Sequence, residues 1–239
     1  MLLSSITFDR EYSFMQKENF IPIETDRLII DEFKSSDFEA LQQIAFKINE
    51  NADIHYVDGY CPFYTFQVAK DEENRNAKIR QKVADFIIKA DKEKNAEPRS
   101  TYRMAVRLKD GTLIGNTTID MLPIEEDGKT IYGDLGYFIN PEYGSKGYAI
   151  EAVRGLTHYF FKKYDKLDVT THPNNKFSRN LIEKIGGKKV GYKDASHYGN
   201  SEPRVVFEVS KKDFYRSCPF NKKMPNLLAV LINNKAKRK

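Results

Sequence analysis

The chain has 239 residues, 40% of them hydrophobic, which is enough to bury one sizeable core. Its 39 Lys and Arg residues exceed its 34 Asp and Glu residues by 5, a modest excess that is mixed along the chain. No run of about 18 apolar residues predicts a membrane span, no apolar N-terminal stretch predicts a signal peptide, and two cysteines predict no disulfide framework. The four histidines lack the spacing of metal ligands. We therefore expect a cytoplasmic protein without a bound metal.

The first half of the chain predicts an arm, one strand and two helices. Ser36 and Glu39 have the spacing of a capping box, which predicts the start of a helix. A longer and highly charged helix is predicted further on, because its apolar residues fall on one side. The predicted elements are an arm at 1–21, a strand at 27–33, helices at 36–49 and 70–94, and an irregular aromatic segment at 53–65.

The second half predicts further strands and helices. Asp110-Gly111 lies between two runs of alternating polarity, which is a strong hairpin signal. The predicted strands are at 102–108, 113–120, 130–139, 167–171, 188–192 and 204–209. The predicted helices have apolar stripes at Ala149, Val153, Leu156 and Phe160, at Phe177, Leu181, Ile182 and Ile185, and within 226–234. Hairpins and crossovers both occur in this order, which predicts a mixed sheet covered by helices.

A loop of small residues, Gly144-Ser145-Lys146-Gly147, connects the strand at 130–139 to the next helix. A strand, a tight loop and a helix N-terminus together form an anion site, because free backbone N–H groups and the helix dipole favour negative charge there. Small residues also let a phosphate approach the backbone. The loop therefore suggests a phosphate-bearing cofactor. The alternative is a plain connector whose glycines only relieve backbone strain.

A second informative segment runs from His172 to Gly187, directly after the strand at 167–171. Either Asn174 or Asn175 can cap the start of its helix, and two consecutive glycines can end it.

Together, these segments resemble the motifs of the GNAT acyltransferase superfamily, in particular its ribosomal-protein N-acetyltransferase (Rim-type) branch. Asn175-Lys-Phe-Ser178 fits the later motif, and Gly147-Tyr-Ala149 fits the end of the loop motif. The opening Ile23-Glu-Thr-Asp-Arg-Leu-Ile-Ile-Asp-Glu-Phe33 is similar to the family's first strand. The resemblance implies the GNAT fold, α+β with a mixed, mostly antiparallel central sheet flanked by helices. It divides the chain into an N-terminal arm at 1–21, a GNAT N-acetyltransferase domain at 22–215 and a basic C-terminal extension at 216–239.

The sequence departs from the family pattern at three positions. Gly144 stands where the family has Arg or Gln, and Ser145 stands at a usual Gly. Gly187 replaces the usual aromatic residue after the second helix. The first two departures are expected to reshape the loop that would hold the cofactor.

The resemblance implies acetyl-CoA as the donor and direct transfer of its acetyl group to an amine of a small molecule or of a protein N-terminus. The amine must lose a proton, the thioester oxygen needs a hydrogen-bond donor, and the leaving thiolate needs a proton or another donor. Asp134 is favoured as the proton acceptor, with Asp120 on the adjacent strand as the alternative. Ser178 matches the serine that relatives of the ribosomal type are thought to use for the leaving group. The other candidate donors are Tyr137, Tyr143 and Tyr148.

The resemblance also implies how acetyl-CoA is held. Asn175 is expected to reach the pantetheine amides, and the backbone of Phe138 and Ile139 is expected to pair with pantetheine as an added strand would. Lys146 is expected to meet a phosphate. The pyrophosphate is expected to lie on the backbone of Gly144, Ser145, Lys146, Gly147, Tyr148 and Ala149.

Two other functions remain open. One is a GNAT-like module that binds CoA or a partner without catalysis. The other is a ribosome- or nucleic-acid-associated protein that uses the basic end of the chain, Lys235 to Lys239. The sequence leaves the acceptor undetermined among protein N-termini, polyamines, amino acids and aminoglycosides. It predicts no membrane partner and is compatible with a monomer or a homodimer.

Overall fold

A computed structural model describes residues 20–50, 72–97, 99–122, 130–193 and 203–218, without the side chains at 122 and 130–134. Most of the predicted arm, the aromatic segment at 53–65 and the predicted helix at 226–234 therefore lie outside the described residues. No helix in the described part is long and apolar enough to span a membrane.

The described part contains eight strands and five α-helices. The strands are β1 (Ile23–Glu24), β2 (Leu28–Glu32), β3 (Thr101–Leu108), β4 (Leu113–Leu122), β5 (Thr130–Ile139), β6 (Lys166–Thr171), β7 (Lys188–Lys193) and β8 (Arg204–Ser210). The helices are α1 (Phe38–Glu50), α2 (Glu72–Lys94), α3 (Tyr148–Phe160), α4 (Lys176–Lys184) and α5 (Lys211–Ser217). The predicted strands and helices in this part are confirmed to within a few residues, and β1 and α5 were not predicted.

The capping box at the start of α1 lies at Lys34 and Asp37, two residues before the predicted Ser36 and Glu39. A 3-10 turn at Ser35–Asp37 precedes the helix, and the Asp37 carboxylate accepts a hydrogen bond from the Lys34 N–H at 2.8 Å. The same carboxylate is buried and pairs with Arg107 of β3 at 2.7 Å. The carboxylate that closes the capping box thus also ties the start of the helix to the sheet through a buried ion pair.

All eight strands form one sheet in the order β1-β2-β3-β4-β5-β6-β8-β7. The pairing between β5 and β6 is parallel, and the other six described pairings are antiparallel. The prediction of a mixed, mostly antiparallel sheet is therefore confirmed. The sheet consists of two antiparallel halves, β1 to β5 and β6-β8-β7, joined along one parallel seam.

Helices cover both faces of the sheet because successive strand residues point to opposite sides. On β3, Met104 and Val106 are buried in the cluster that includes α3, α4 and α5, whereas Ala105 is buried in the cluster with α1 and α2. The first cluster also packs Phe20 and buries Cys218. These two residues lie just outside the predicted domain limits at 22 and 215, which remain a proposal.

The absence of a side chain at Gly115 of β4 permits β4 and β5 to approach closely at the end of the sheet that carries the loops. A Cβ at this position would lie 2.2 Å from the carbonyl oxygen of Phe138 and 3.0 Å from the Cα of Ile139. Both are backbone atoms, so no side-chain rotation relieves the clash. We expect Gly115→Ala to lower the free energy of unfolding, measured in urea. The loss should reach or exceed about 1–3 kcal/mol, the usual cost of overpacking.

Gly136→Ala is the matched control, because its Cβ would meet Thr118 at an ordinary 3.7 Å. This variant should change the free energy of unfolding by less than about 1 kcal/mol. Equal losses in the two variants would contradict the close approach at Gly115.

Candidate active site

The two parallel strands separate before they end. Strand β5 pairs with β6 over three residues each, Thr130–Tyr132 with Lys166–Asp168. Beyond this seam, the described part of β5 pairs only with β4, and that of β6 pairs only with β8. The two loops that the sequence singled out follow these two strands. They therefore lie at the same end of the sheet. Ligands of sheets with parallel strands commonly bind at such carboxyl ends.

The divergence leaves one side of β5 without a strand partner in the described part, and we call this side the open edge. Asn140, just after β5, donates its N–H to the Ile114 carbonyl of β4 at 2.8 Å. Backbone groups in a strand alternate in direction. The N–H and C=O of Ile139 therefore face the open edge, whereas those of Phe138 face Asn116 of β4.

The loop at residues 144–147, which we call the anion loop, leads into the N-terminus of α3. Gly147 is the N-cap residue, and no described side chain caps the helix there. The first helical hydrogen bond is donated by Glu151 to the Gly147 carbonyl. The N–H groups of the first turn, from Tyr148 to Ile150, therefore have no intrahelical acceptor and point out of the helix end. This end carries the partial positive charge of the helix.

The backbone of the anion loop alternates in the sign of φ. Ser145 has φ of 58°, Gly147 has φ of 80°, and Gly144 has φ of −62°. Lys146 is not among the described residues with positive φ. Left-handed residues in a turn are typical of loops whose backbone N–H groups bind anions. Ser145, the departure from the family's glycine, is thus the one non-glycine residue with positive φ in the described part.

The side chains around the anion loop add a positive charge. Lys146 is exposed, and its Nζ donates to the Glu142 carbonyl at 3.3 Å and lies 5.3 Å from the centre of the Tyr143 ring. Tyr148 and Ala149 are half-buried against the main core. The ammonium group therefore lies beside its own loop, within reach of an anion that the loop binds.

Helix α4 begins on the other side of the separation. The side-chain oxygen of Asn175 accepts a hydrogen bond from the Ser178 N–H at 3.0 Å, which confirms the predicted cap. Burial raises the pKa of Tyr137 on β5 to about 12, and a side-chain hydrogen bond with Ser178 opposes that rise. Tyr137 therefore keeps its proton through the neutral and moderately alkaline range.

The two acidic candidates are aligned in the sheet. Asp134 of β5 is the Cα partner of Asp120 of β4, and the Asp134 side chain lies outside the described part. Burial raises the pKa of Asp120, and the charge of Arg103 and a hydrogen bond from Thr101 oppose that rise. A carboxylate with a raised pKa is a stronger base at neutral pH.

Tyr137 and Ser178 were predicted only as separate candidate donors, and their interaction was not predicted. Arg27 was predicted only as part of a strand, whereas its guanidinium group contacts the anion loop. No local pattern links these residues, which belong to elements distant in sequence. Among the described residues, no group of three or more His, Cys, Asp or Glu side chains is arranged to hold a metal ion.

Comparisons with known proteins agree with this geometry. The model of a family described as the acetyltransferase (GNAT) domain matches residues 27–188, more than half of the chain. An uncharacterized N-acetyltransferase of Bacillus subtilis, YnaD, is 29% identical over 173 residues, which are 71% of this chain and 84% of that protein.

Solved structures share the fold. An acetyltransferase of the GNAT family from Bacillus anthracis has a TM-score of 0.54 and 23% identity, over 80% of this chain and 99% of that chain. RimJ of Mycobacterium smegmatis, in complex with CoA-disulfide, has a TM-score of 0.60 and 15% identity, over 81% of this chain and 87% of that chain. The predicted GNAT fold and the likeness to Rim-type structures are confirmed.

The positive φ of Ser145 costs stability because a side chain disfavours the left-handed region. We expect Ser145→Gly to raise the free energy of unfolding by roughly 0.5–1 kcal/mol. Ser145→Ala is the control, because alanine keeps the unfavourable φ while it removes the hydroxyl group. Thermal or urea unfolding measures both, and a glycine variant no more stable than the alanine variant would show that the loop carries no strain.

Proposed function

The chain belongs to the GNAT acetyltransferase family and is an N-acetyltransferase, and on that basis we propose that it transfers the acetyl group of acetyl-CoA directly to a primary amine. The acceptor is an amine of a small molecule or a protein N-terminus. The observation that carries the proposal is that the open edge of β5 and the free N–H groups at the start of α3 lie at the same end of the sheet.

The residues fit each part of acetyl-CoA. The backbone N–H and C=O of Ile139 match the donor and acceptor that pantetheine amides present, as in strand addition. Asn175 uses its oxygen as a helix cap, which leaves its amide nitrogen to meet pantetheine. The Gly144 N–H already donates to the Pro141 carbonyl, whereas the N–H groups from Ser145 to Ala149 suit a pyrophosphate, and Lys146 supplies a positive charge beside it.

Acetyl-CoA supplies an activated acetyl group as a thioester. In our proposal, Tyr137 donates the proton that the leaving sulfur needs, because its phenol is protonated at neutral pH and lies on the strand that has the open edge. Ser178 orients that phenol through their shared hydrogen bond, so the two side chains act as one donor unit. This assigns Ser178, the residue that the sequence favoured, a role that depends on Tyr137.

The attacking amine must be neutral, so its proton must leave. We assign the acceptor role to Asp134, which lies on the strand that has the open edge, and we treat its partner Asp120 as the alternative. Transfer needs no covalent link between the acetyl group and the protein, so it does not require a nucleophilic side chain.

A direct assay tests the proposal. The purified chain is mixed with acetyl-CoA and a panel of amines that contains peptides with ribosomal-protein N-termini, polyamines, amino acids and aminoglycosides. Release of free thiol and formation of the acetylated product by mass spectrometry should both occur with at least one acceptor class. Tight CoA binding without transfer to any amine would favour a non-catalytic module. Absence of CoA binding would remove the proposal.

The donor unit makes a kinetic prediction. Tyr137→Phe should lower kcat by about 10²-fold or more with little change in the KM for acetyl-CoA, because general acid catalysis is worth that much in the transition state. Ser178→Ala should lower kcat less, and the double variant should be no slower than Tyr137→Phe alone. Tyr215→Phe is a control, since that phenol pairs with His158 instead. Effects that multiply in the double variant would mean that the two side chains act independently.

The proton acceptor makes a pH prediction. A base must be deprotonated to act, so the rate falls as the pH drops through its pKa. Asp134→Asn should remove this acidic limb of the pH–rate profile, whereas Asp120→Asn should leave it in place. A limb that survives Asp134→Asn and disappears with Asp120→Asn would assign the role to Asp120, whose pKa burial already raises.

A further inference from the structure

We propose that Arg27 is a positioning residue that holds the anion loop in its phosphate-binding conformation and neutralises a carboxylate beside the phosphate site. This inference rests on the proposed use of acetyl-CoA. Arg27 lies just before β2, at the far side of the sheet's first half, yet its side chain contacts both the anion loop and the first turns of α3.

Three contacts fix the guanidinium group. Its Nη1 donates to the Lys146 carbonyl at 2.9 Å, and its Nε donates to the Glu151 carboxylate at 2.7 Å. Its plane lies over the Tyr148 ring, 4.5 Å from the ring centre. The forked shape of arginine allows one side chain to bond two acceptors and stack on an aromatic ring at once, which lysine does not allow.

The bond to Lys146 orients the peptide group that joins Lys146 to Gly147. In a trans peptide the C=O and the N–H point in opposite directions. Because Arg27 holds the Lys146 carbonyl, the Gly147 N–H points away from Arg27. Ser145 and Gly147 on either side have positive φ, so this anchor fixes the middle of the anion loop.

The bond to Glu151 removes a charge that would oppose the ligand. Glu151 lies in the first turn of α3, close to the N–H groups that we assign to the pyrophosphate. An uncompensated carboxylate there would repel phosphate. Glu151 is 16% exposed, and its oxygens also accept bonds from the Thr25 hydroxyl at 2.6 Å and from the Arg27 backbone N–H at 2.9 Å. Donors from the segment between β1 and β2 thus bind both oxygens of the carboxylate.

The competing explanation is an ordinary surface ion pair. Arg27 is 46% exposed, and exposed pairs usually contribute little to stability. Loss of such a pair would change the affinity for every ligand by the same factor, or would change none of them. A positioning role instead affects only the part of the ligand that the anion loop binds.

The test compares two ligands, CoA and pantetheine, which lacks the phosphates. Calorimetry at low salt gives the affinity of each for the natural chain, for Arg27→Gln and for Arg27→Lys. We expect Arg27→Gln to weaken CoA binding by about tenfold, which is equivalent to about 1.4 kcal/mol. Pantetheine binding should not change. Arg27→Lys keeps the charge but loses the forked guanidinium group. Its CoA affinity should lie between that of the natural chain and that of Arg27→Gln. Arg216→Gln, which breaks an exposed pair to Asp213, is the matched control.

A second substitution checks the role of the charge. If Glu151 repels phosphate once Arg27 is removed, Arg27→Gln combined with Glu151→Gln should recover part of the lost CoA affinity. If Arg27→Gln leaves the ratio of CoA affinity to pantetheine affinity unchanged, the role of Arg27 is overturned while the proposed function stays intact. A natural chain that binds CoA no better than pantetheine would instead overturn the phosphate site itself.

Discussion

The short parallel seam between β5 and β6 is the constraint on which the rest of the site depends. Three residues on each strand are paired, and the two antiparallel halves of the sheet satisfy their other backbone groups separately. The strands can therefore diverge without unpairing either half. Their divergence leaves the backbone groups of Ile139 facing an open edge, and buried backbone groups need partners. A ligand with amide groups at this position supplies such partners.

The chemistry of the site follows from what surrounds this separation. The anion loop follows β5 and α4 follows β6, so the proposed phosphate site and the start of α4, with Ser178, lie at the same end of the sheet. Burial at this place also raises the pKa of Tyr137. Arg27, from the edge of the first half, fixes the anion loop against α3. The proposed proton donation and anion binding thus depend on the same arrangement of strands as the packing.

Local features of the sequence predicted most of the elements, and long-range contacts account for what it missed. The cap at Asn175 depends on residues three positions apart, so residue type was sufficient to predict it. Strand β1 has two residues, which is too short to show a period. The Arg27–Glu151 bond joins residues 124 positions apart, and no pattern in one sequence indicates such a contact. The resemblance to the GNAT family supplied the site residues that physical patterns alone left undetermined, and their roles remain predictions.

The open edge of β5 can be tested by amide hydrogen exchange, residue by residue, with and without CoA. The account predicts that CoA slows exchange at the Ile139 amide, which faces the open edge. The Phe138 amide, which faces β4 within the sheet, should change little and serves as an internal reference. The amides from Ser145 to Tyr148 should slow together with Ile139, whereas the Gly144 amide already donates to the Pro141 carbonyl. CoA that binds without slowing exchange at Ile139, or that protects the outer edge at β7 instead, would contradict the claim that the separation of β5 from β6 forms the binding site.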